Sequence, residues 1–269
     1  MNQPLSAILN VMITAVKKAE RNLVRDFGEV EKLQVSKKGP GDFVSNADRR
    51  AEETIAEYLM MARPDYQILA EESGNKYGAK EGEYRFVLDP LDGTNNFLHG
   101  FHYWAISLGL EKNGELVAGV VSAPILNEIY HAEKSNGAFL NNRRIRVSNR
   151  NKLADAYMVC GSPSSIRRQT KAPFDVIDVV NAAARQVGSV RCTGSAALDL
   201  SNVAAGRFDA LVELGLKKWD SAAGAVILKE AGGRITGISG ADDYYETGDI
   251  VASNYHLHDD IIRLLSSAN

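Results

Sequence analysis

The chain has 269 residues, of which 45% are hydrophobic and 24% charged, and its 31 basic and 34 acidic side chains leave a net charge of −3. This is the composition of a globular protein, and it lacks the basic excess of a dedicated nucleic-acid binder. Cys160 and Cys192 lie in no CxxC or Cys/His cluster, so we expect no zinc site. A count this low is typical of a reducing compartment, although it leaves one disulfide open. We expect a cytoplasmic protein without direct nucleic-acid binding.

The amino-terminal segment is apolar enough to be compared with a secretion signal. Its positive charges, Lys17, Lys18 and Arg21, follow the apolar stretch, whereas a secretion signal carries them before it. No stretch approaches the roughly 18 to 20 apolar residues of a membrane-spanning helix. The apolar positions recur at helical spacing: Leu5, Ile8, Leu9, Met12, Val16, Ala19, Leu23 and Phe27. The segment therefore predicts an amphipathic helix in a protein that does not enter a membrane.

Helix and strand signals alternate along the rest of the chain. Before position 150 they predict a helix over 47–61, strands over 67–70 and 85–89, a meander with strands over 105–110 and 116–123, and a hairpin at 138–147. Later signals predict strands over 156–160, 189–191, 208–213, 234–236 and 249–252, and helices over 173–185, 195–205, 220–231 and 256–265. This order is typical of an α/β or α+β fold. A polar stretch near 148–155 divides it, so we expect two lobes, 1–150 and 151–269, that share one site.

The segment around 87–97 carries the strongest chemical signal. A strand delivers Asp89, and Pro90 is expected to end that strand. Asp92 follows three residues after Asp89, and Gly93 and Thr94 open what is predicted to be a helix. Carboxylates attract Mg²⁺, which prefers oxygen ligands, and a helix amino terminus offers free N–H groups to a phosphate. Together these features indicate a phosphoryl-transfer site. Taken alone, the segment is equally consistent with an Asp-Pro turn followed by a helix cap.

Acids stand at the ends of other predicted elements. Glu71 and Glu72 follow an apolar strand, Asp48 begins a helix, and Asp220 begins another that continues with small residues. Residues 194–196 open a further helix with bare backbone. Each segment alone favours an ordinary role, as a solvated loop edge or a helix cap. The sequence lacks the signatures of P-loop NTPases, dinucleotide-binding proteins, zinc proteases and serine hydrolases, which argues against these four classes of protein.

Taken together, these segments resemble the inositol monophosphatase family of Mg²⁺-dependent, lithium-sensitive phosphatases. Residues 89–94, DPLDGT, match the family's first signature, and 219–233, which run from Trp-Asp to Glu-Ala-Gly-Gly, match its second. The segments around 48, 71–73 and 194–196 follow in the family's order and spacing. The resemblance extends over about 7–265. Residues 193–216 are most similar to the family's bacterial extragenic suppressor branch.

The resemblance implies a layered αβαβα sandwich, a homodimer, inhibition by Li⁺, and two to three Mg²⁺ ions in each site. Glu71, Asp89 and the carbonyl of Leu91 would hold one ion, and Asp89, Asp92 and Asp220 a second. A third, weaker ion would use Glu71 and water. The implied reaction is hydrolysis of inositol 1-phosphate or a similar sugar-alcohol phosphate by direct attack of a metal-activated water.

The resemblance also assigns catalytic and substrate-binding roles. Thr94 and Asp48 would position and deprotonate the attacking water, with Glu71 as the third catalytic residue. Lys37, or its neighbour Lys38, would lie over the metal site. The expected substrate contacts are Asp92, Gly93, Thr94, Gly194, Ser195, Ala196, Glu213 and Asp220. Among these, Asp92, Ala196 and Glu213 would contact the hydroxyls of the sugar alcohol.

Some residues depart from the family's pattern or stay outside it. Asn95 replaces the threonine that most members have after Asp-Gly-Thr, so phosphate contacts are expected to differ. The loop 161–171 carries Arg167, Arg168 and Lys171, which favour a solvated surface over recognition of a second phosphate or an acidic partner. His99 follows the first signature, and we interpret it as structural.

Alternatives to inositol 1-phosphate hydrolysis stay open at this stage. The family's other branches act on fructose 1,6-bisphosphate, adenosine 3′,5′-bisphosphate or histidinol phosphate. A second hypothesis is a regulatory role in which the protein binds RNA polymerase or a transcription factor, because the extragenic suppressor branch is associated with the transcription machinery. A degenerate scaffold is a weaker hypothesis, since the acid set is complete.

Overall fold

The computed structural model describes residues 5–29, 35–39, 42–163 and 170–266, without side chains at 35–39 and 42–45. The helices are α1 (Ala7–Phe27), α2 (Asn46–Ala62), α3 (Thr94–Leu98), α4 (Val176–Ala184), α5 (Ala196–Ala204), α6 (Lys218–Glu230), α7 (Tyr244–Thr247) and α8 (His258–Ser266). The strands are β1 (Val35–Gly39), β2 (Asp42–Ser45), β3 (Gln67–Ala70), β4 (Tyr84–Asp92), β5 (Ala105–Lys112), β6 (Glu115–Ala123), β7 (Glu128–Glu133), β8 (Ala138–Leu140), β9 (Arg143–Arg144), β10 (Tyr157–Cys160), β11 (Ser189–Cys192), β12 (Ala210–Glu213), β13 (Arg234–Thr236) and β14 (Ile250–Ser253).

Two sheets organise these elements. The first has seven strands in the order β3-β4-β5-β6-β7-β8-β9, and the second has five in the order β11-β10-β12-β14-β13. In the first sheet, β3 runs parallel to β4 and the later pairs are antiparallel. In the second, β10 runs parallel to β11 and β12, whereas β14 is antiparallel to both of its neighbours. Strands β1 and β2 form a separate hairpin.

The hydrophobic cores show that the sheets and helices form five layers. Helices α1 and α2 pack on one face of the first sheet. Helices α5 and α6 fill the core between the two sheets. Helices α4 and α8 cover the outer face of the second sheet. The order of layers is therefore αβαβα, which confirms the expected sandwich.

The predicted elements are present, with differences at their ends. Helix α4 begins at Val176 rather than at position 173, because Asp175 caps it by accepting hydrogen bonds from the N–H groups of Ile177 and Asp178. Strand β12 begins two residues later than expected. The sequence pattern does not predict β1, β2, β7 and α7, which are short or polar. Cys160 and Cys192 are both free, so the disulfide that counting left open is not formed.

Two glycines let α6 lie directly against the first sheet. A Cβ atom on Gly119 would lie 2.4 Å from the carbonyl oxygen of Ala223, and one on Gly109 would lie 2.7 Å from the Cβ of Ala222. Such distances are far below van der Waals contact, so the helix backbone approaches β5 and β6 more closely than any other residue type would allow. This packing fixes the position of Asp220, which lies in the first turn of α6.

A buried histidine links the second sheet to α8. The two ring nitrogens of His258 lie 2.9 Å from Thr236 Oγ1 and 2.8 Å from Ser253 Oγ. Burial lowers the pKa of His258 from its ordinary 6.5 to about 4. The Arg234 guanidinium lowers this pKa further, and Asp259 opposes it. The neutral imidazole is therefore the form that the folded protein favours.

The free energy of unfolding should decrease as the pH falls from about 6.5 towards 4. In that range the unfolded chain binds a proton at position 258 that the folded chain still excludes. His258→Gln keeps a donor and an acceptor but cannot titrate, so its stability should change less over this range. Urea denaturation of both proteins at several pH values measures the difference. Equal pH dependence in the two proteins would contradict the assignment.

Candidate active site

The carboxyl end of β4 brings two acids to the centre of the molecule. Asp89 and Asp92 are both buried. Contrary to expectation, Pro90 does not end the strand. The ladder with β5 shifts register between Asp89 and Asp92 and then resumes, which is a bulge. Asp89 Oδ1 accepts a hydrogen bond of 2.9 Å from the N–H of Leu91 within this bulge.

The bulge leads directly into α3, as the sequence predicts. Gly93 has a φ of +93°, and a Cβ there would lie 3.1 Å from the carbonyl oxygen of Tyr103, so this position favours glycine. The hydroxyl of Thr94 donates to the carbonyl oxygen of Leu91 over 3.0 Å. Gly93 and Thr94 thus follow the two acids of β4 directly in the chain and open α3.

The first turn of α6 adds a third acid. Oxygen atoms from the carboxylates of Asp89, Asp92 and Asp220 all lie within 4.8 Å of one another. Asp220 is held there by the N–H of Lys217, which donates to its Oδ2 over 2.7 Å. The structure thus brings together the three acids assigned to the second metal ion.

Other acids surround the buried carboxyl group of Asp89 and raise its pKa. Burial raises the pKa of Asp89 well above its usual range, and the charges of Glu71, Asp92, Asp220 and Asp48 raise it further, in that order. A divalent cation would relieve this repulsion. The donors are hard carboxylate oxygens, which are the ligands that Mg²⁺ prefers. The residues therefore fit the metal that the resemblance implies.

The amino terminus of α5 supports Asp92 from the other side. Ser195 Oγ donates to Asp92 Oδ2 over 2.6 Å, and the N–H of Ala197 donates to the same oxygen over 2.8 Å. Ser195 is completely buried, and Ala196 nearly so, whereas Gly194 is exposed. Glu213 is buried at the end of β12. The structure thus assigns the Ser195 hydroxyl to Asp92.

Glu52 supports the turn that carries Glu71, although it is not among the predicted site residues. It is 3% exposed on α2, and its carboxylate accepts the N–H of Glu72 over 2.8 Å. The Glu71 N–H donates to the carbonyl oxygen of Leu88 on β4. These bonds fix the turn that carries Glu71. The helical spacing could have predicted that Glu52 is buried near Asp48, because it follows Asp48 by one turn on the same face of α2 as the buried Ile55.

Other candidates have ordinary positions or lie outside the described residues. His99 is the C-cap residue of α3 and is exposed. Lys171 is exposed, and its N–H donates to Asp249 Oδ2. Asn95 is exposed in the first turn of α3. The remaining candidates lie outside what the structure describes: the side chains of Lys37 and Lys38, and Arg167 and Arg168 entirely.

Comparison with known proteins decides the family. The model of the inositol monophosphatase family matches residues 4–269. The chain belongs to this family. Among its relatives, the inositol-1-monophosphatase of Mesorhizobium japonicum is 49% identical, with 93% of this chain and 92% of that protein aligned. The putative Nus factor SuhB of Neisseria meningitidis serogroup A is 40% identical, over 98% and 99% of the two chains.

A solved structure agrees with this assignment to the inositol monophosphatase family. The extragenic suppressor protein SuhB from Bartonella henselae superposes with a TM-score of 0.90 at 44% identity, covering 97% of this chain and 98% of that one. Inositol monophosphatase from Thermotoga maritima gives 0.87 at 33% identity, covering 98% of each chain. The αβαβα layers are therefore those of the family. No helix within the described residues is long and apolar enough to cross a membrane.

Proposed function

We propose that this protein is a Mg²⁺-dependent phosphomonoesterase that hydrolyses inositol 1-phosphate to inositol and phosphate. The observation that carries the proposal is the convergence of Asp89, Asp92 and Asp220, whose carboxylate oxygens lie within 4.8 Å of one another. The relatives that are 49% identical bear the name inositol-1-monophosphatase, which supports this substrate.

Two to three Mg²⁺ ions would be held by carboxylates and one carbonyl of this chain. Glu71, Asp89 and the Leu91 carbonyl form the first ligand set, Asp89, Asp92 and Asp220 the second, and Glu71 a weaker third with water. Mg²⁺ bound there would supply a water of lowered pKa and would neutralise charge on the phosphate and the leaving oxygen. Inhibition by Li⁺ is part of this proposal.

The protein's own task is to orient the water and the phosphate. Thr94 gives its hydroxyl hydrogen to the Leu91 carbonyl, so its oxygen is left as an acceptor for the attacking water. Asp48, buried beside the same site, takes up the proton. The N–H groups of Gly93 and Thr94 bind phosphate oxygens, which are most highly charged during transfer.

The alcohol half of the substrate would lie towards α5 and β12. Ala196 offers its N–H at the start of α5, and Glu213 offers a carboxylate that accepts hydrogen bonds from ring hydroxyls. An acceptor of this kind favours a polyol over an apolar leaving group. Other phosphate esters are the alternatives: fructose 1,6-bisphosphate, adenosine 3′,5′-bisphosphate and histidinol phosphate. An Aquifex aeolicus relative, 38% identical, is named fructose-1,6-bisphosphatase/inositol-1-monophosphatase.

We also propose two lobes, 1–150 and 151–269, a homodimer and a cytoplasmic location. The lobe boundary falls between β9 and β10, where the chain leaves the first sheet and enters the second. Helices α5 and α6 would then join the lobes, because they contribute to the core that touches both sheets.

Phosphate release from the four esters tests the proposed function. Release should require Mg²⁺, stop with EDTA, and be fastest on inositol 1-phosphate. Asp220→Asn should remove it, because the second ligand set loses a charge. Asp259→Asn is the matched control, since Asp259 pairs with Arg234 on the surface of α8 and should leave the rate unchanged. Faster release from another ester would make that ester the proposed substrate. No release from any of the four esters would refute the proposal.

A second candidate function is binding to RNA polymerase or a transcription factor. It is favoured by relatives of 38 to 40% identity that are named Nus factor SuhB. Capture of RNA polymerase by immobilised wild-type protein and by Asp220→Asn tests it. Equal capture by both would support a binding role separate from hydrolysis, and no capture by either would exclude RNA polymerase as the partner.

A further inference from the structure

Asp199 lies outside the residues assigned so far, although it is completely buried. It lies in α5, and its recorded partners are hydroxyl groups. Thr193 Oγ1 lies 2.7 Å from Oδ1 and 2.6 Å from Oδ2 and shares its one hydrogen between them, and the Tyr103 hydroxyl donates to Oδ1 over 2.7 Å. We name Tyr103, Thr193 and Asp199 the Asp199 cluster.

The cluster is also tied together through its backbone. The side-chain amide of Asn96, from α3, donates to the carbonyl oxygen of Tyr103 over 2.6 Å and to that of Thr193 over 2.8 Å. Thr193 is thus held by its hydroxyl and by its carbonyl oxygen. These bonds connect the chain after α3 to the loop that precedes α5.

The held loop delivers the two donors that bind Asp92. Gly194 follows Thr193 with a φ of +87°, and Ser195 comes next with its hydroxyl on Asp92 Oδ2. The N–H of Ala197 reaches the same oxygen. Thr193 and Asp199 therefore bracket the segment that binds Oδ2 of Asp92.

The cost of this arrangement indicates a role other than stability. Burial raises the pKa of Asp199 well above its usual range, and hydrogen bonds from Thr193 and Tyr103 only partly offset this. Within the part of the chain that the structure describes, no cation pairs with Asp199, and a buried carboxylate of this kind stabilises a fold less than a well-packed apolar residue of the same size. What a carboxylate adds here is geometry, because it accepts from two hydroxyls on different segments at once.

A second group of hydrogen bonds lies beside the cluster and contacts it at the Tyr103 hydroxyl. The side-chain amide of Asn202 donates to the Tyr103 hydroxyl over 3.0 Å. Beyond it, the Tyr130 hydroxyl donates to Glu128 over 2.7 Å and lies 3.4 Å from Asn202 Oδ1. Arg207 forms a bidentate pair with the same glutamate. Tyr130 is therefore a buried hydroxyl of the same kind that does not touch Asp199.

We propose that Asp199 is a positioning residue for the metal ligand Asp92, acting through Thr193 and the 194–197 segment. This proposal rests on the proposed function, since it presumes that Asp92 binds Mg²⁺. Groups that orient a metal ligand typically contribute about 10- to 100-fold to metal affinity. The Asp199 cluster acts one step further away than Ser195, so we expect the lower end of that range.

Calorimetric titration of the metal-free protein with Mg²⁺ tests this assignment without measuring catalysis. Tyr103→Phe removes one hydroxyl that donates to Asp199, and Thr193→Val removes the other while keeping the shape of the side chain. Each should weaken Mg²⁺ binding by about tenfold. Thr193→Ser restores the donor and should restore the affinity. Tyr130→Phe is the matched control, and it should lower the melting temperature without changing Mg²⁺ affinity.

The outcomes separate this proposal from the one on which it rests. No Mg²⁺ binding by the wild-type protein would refute the proposed function itself. Binding by the wild type with unchanged affinity in Tyr103→Phe and Thr193→Val would refute only the positioning role. Equal weakening in Tyr103→Phe and Tyr130→Phe would also refute it, because a general loosening of the core would then explain both. Failure of Thr193→Ser to recover affinity would have the same meaning.

Discussion

Asp89→Asn should abolish most of the phosphatase activity and, without a divalent cation, should make the protein more stable. Asp89 belongs to both proposed metal sites, and losing the charge stabilisation that bound metal provides is worth several kcal/mol, or on the order of 10³-fold in rate. Without metal, Asp89 is buried among acids that raise its pKa. Asparagine removes that repulsion and keeps the acceptor for the N–H of Leu91. Phosphate release and thermal melting with and without Mg²⁺ measure both effects.

Asp209→Asn is the matched control for this prediction. Asp209 is also completely buried, but its charge is compensated by Arg150 at 3.1 Å, by the N–H of Tyr157 at 2.7 Å and by Ser148. Neutralising it should lower the stability by about 1 kcal/mol or more, because the half-exposed Arg150 loses its partner and one buried acceptor oxygen is replaced by an amide donor. Its melting temperature should still rise on addition of Mg²⁺. A decrease in the stability of metal-free Asp89→Asn would contradict our account of the site.

Gly119→Ala should lower both the stability of the fold and the affinity for Mg²⁺. The new methyl group would lie 2.4 Å from the carbonyl oxygen of Ala223, so α6 must move away from β6. Overpacking of this kind costs about 1 to 3 kcal/mol. The displacement would also reach Asp220, whose carboxylate must lie within a few ångströms of Asp89. Urea denaturation and calorimetry with Mg²⁺ measure the two effects.

Gly28→Ala adds the same methyl group where there is room for it. Gly28 follows α1 with a φ of −69°, and the nearest atom to a Cβ there is a carbonyl oxygen at 3.4 Å. Its stability and Mg²⁺ affinity should stay close to those of the wild type. If Gly119→Ala were destabilised but bound Mg²⁺ with unchanged affinity, the packing of α6 would not control the position of Asp220.

The metal ligands could be predicted because their signal is local. The spacing of Asp89 and Asp92 around a proline and before a glycine survives as a short motif, and the resemblance then connected it to Asp220. The layered fold followed from the alternation of helix and strand signals together with the same resemblance. Strands with strong apolar patterns, such as β5 and β6, were also found within one or two residues of their observed ends.

The supporting residues could not be predicted because their partners are remote in the sequence. Asp199 and Tyr103 meet only after α5 packs on the first sheet, and neither position carries a local motif. Pro90 was expected to end β4 because proline has no N–H to donate to the neighbouring strand. The ladder instead forms a bulge at this position, and the strand continues to Asp92. The role of Ser195 likewise depends on Asp92 and not on the helix that it caps.

The close packing of α6 has a consequence for the order in which the protein assembles. Asp89 and Asp92 belong to the first half of the chain, whereas Asp220 and its helix leave the ribosome much later. Until α6 docks against Gly109 and Gly119, the first sheet lacks the cover on one face, and its acids have no third ligand beside them. Contacts this distant in sequence form slowly because the intervening chain must first be ordered. The newly made amino-terminal half therefore exposes an apolar sheet face during synthesis, and a chain that stops before α6 should aggregate rather than bind metal.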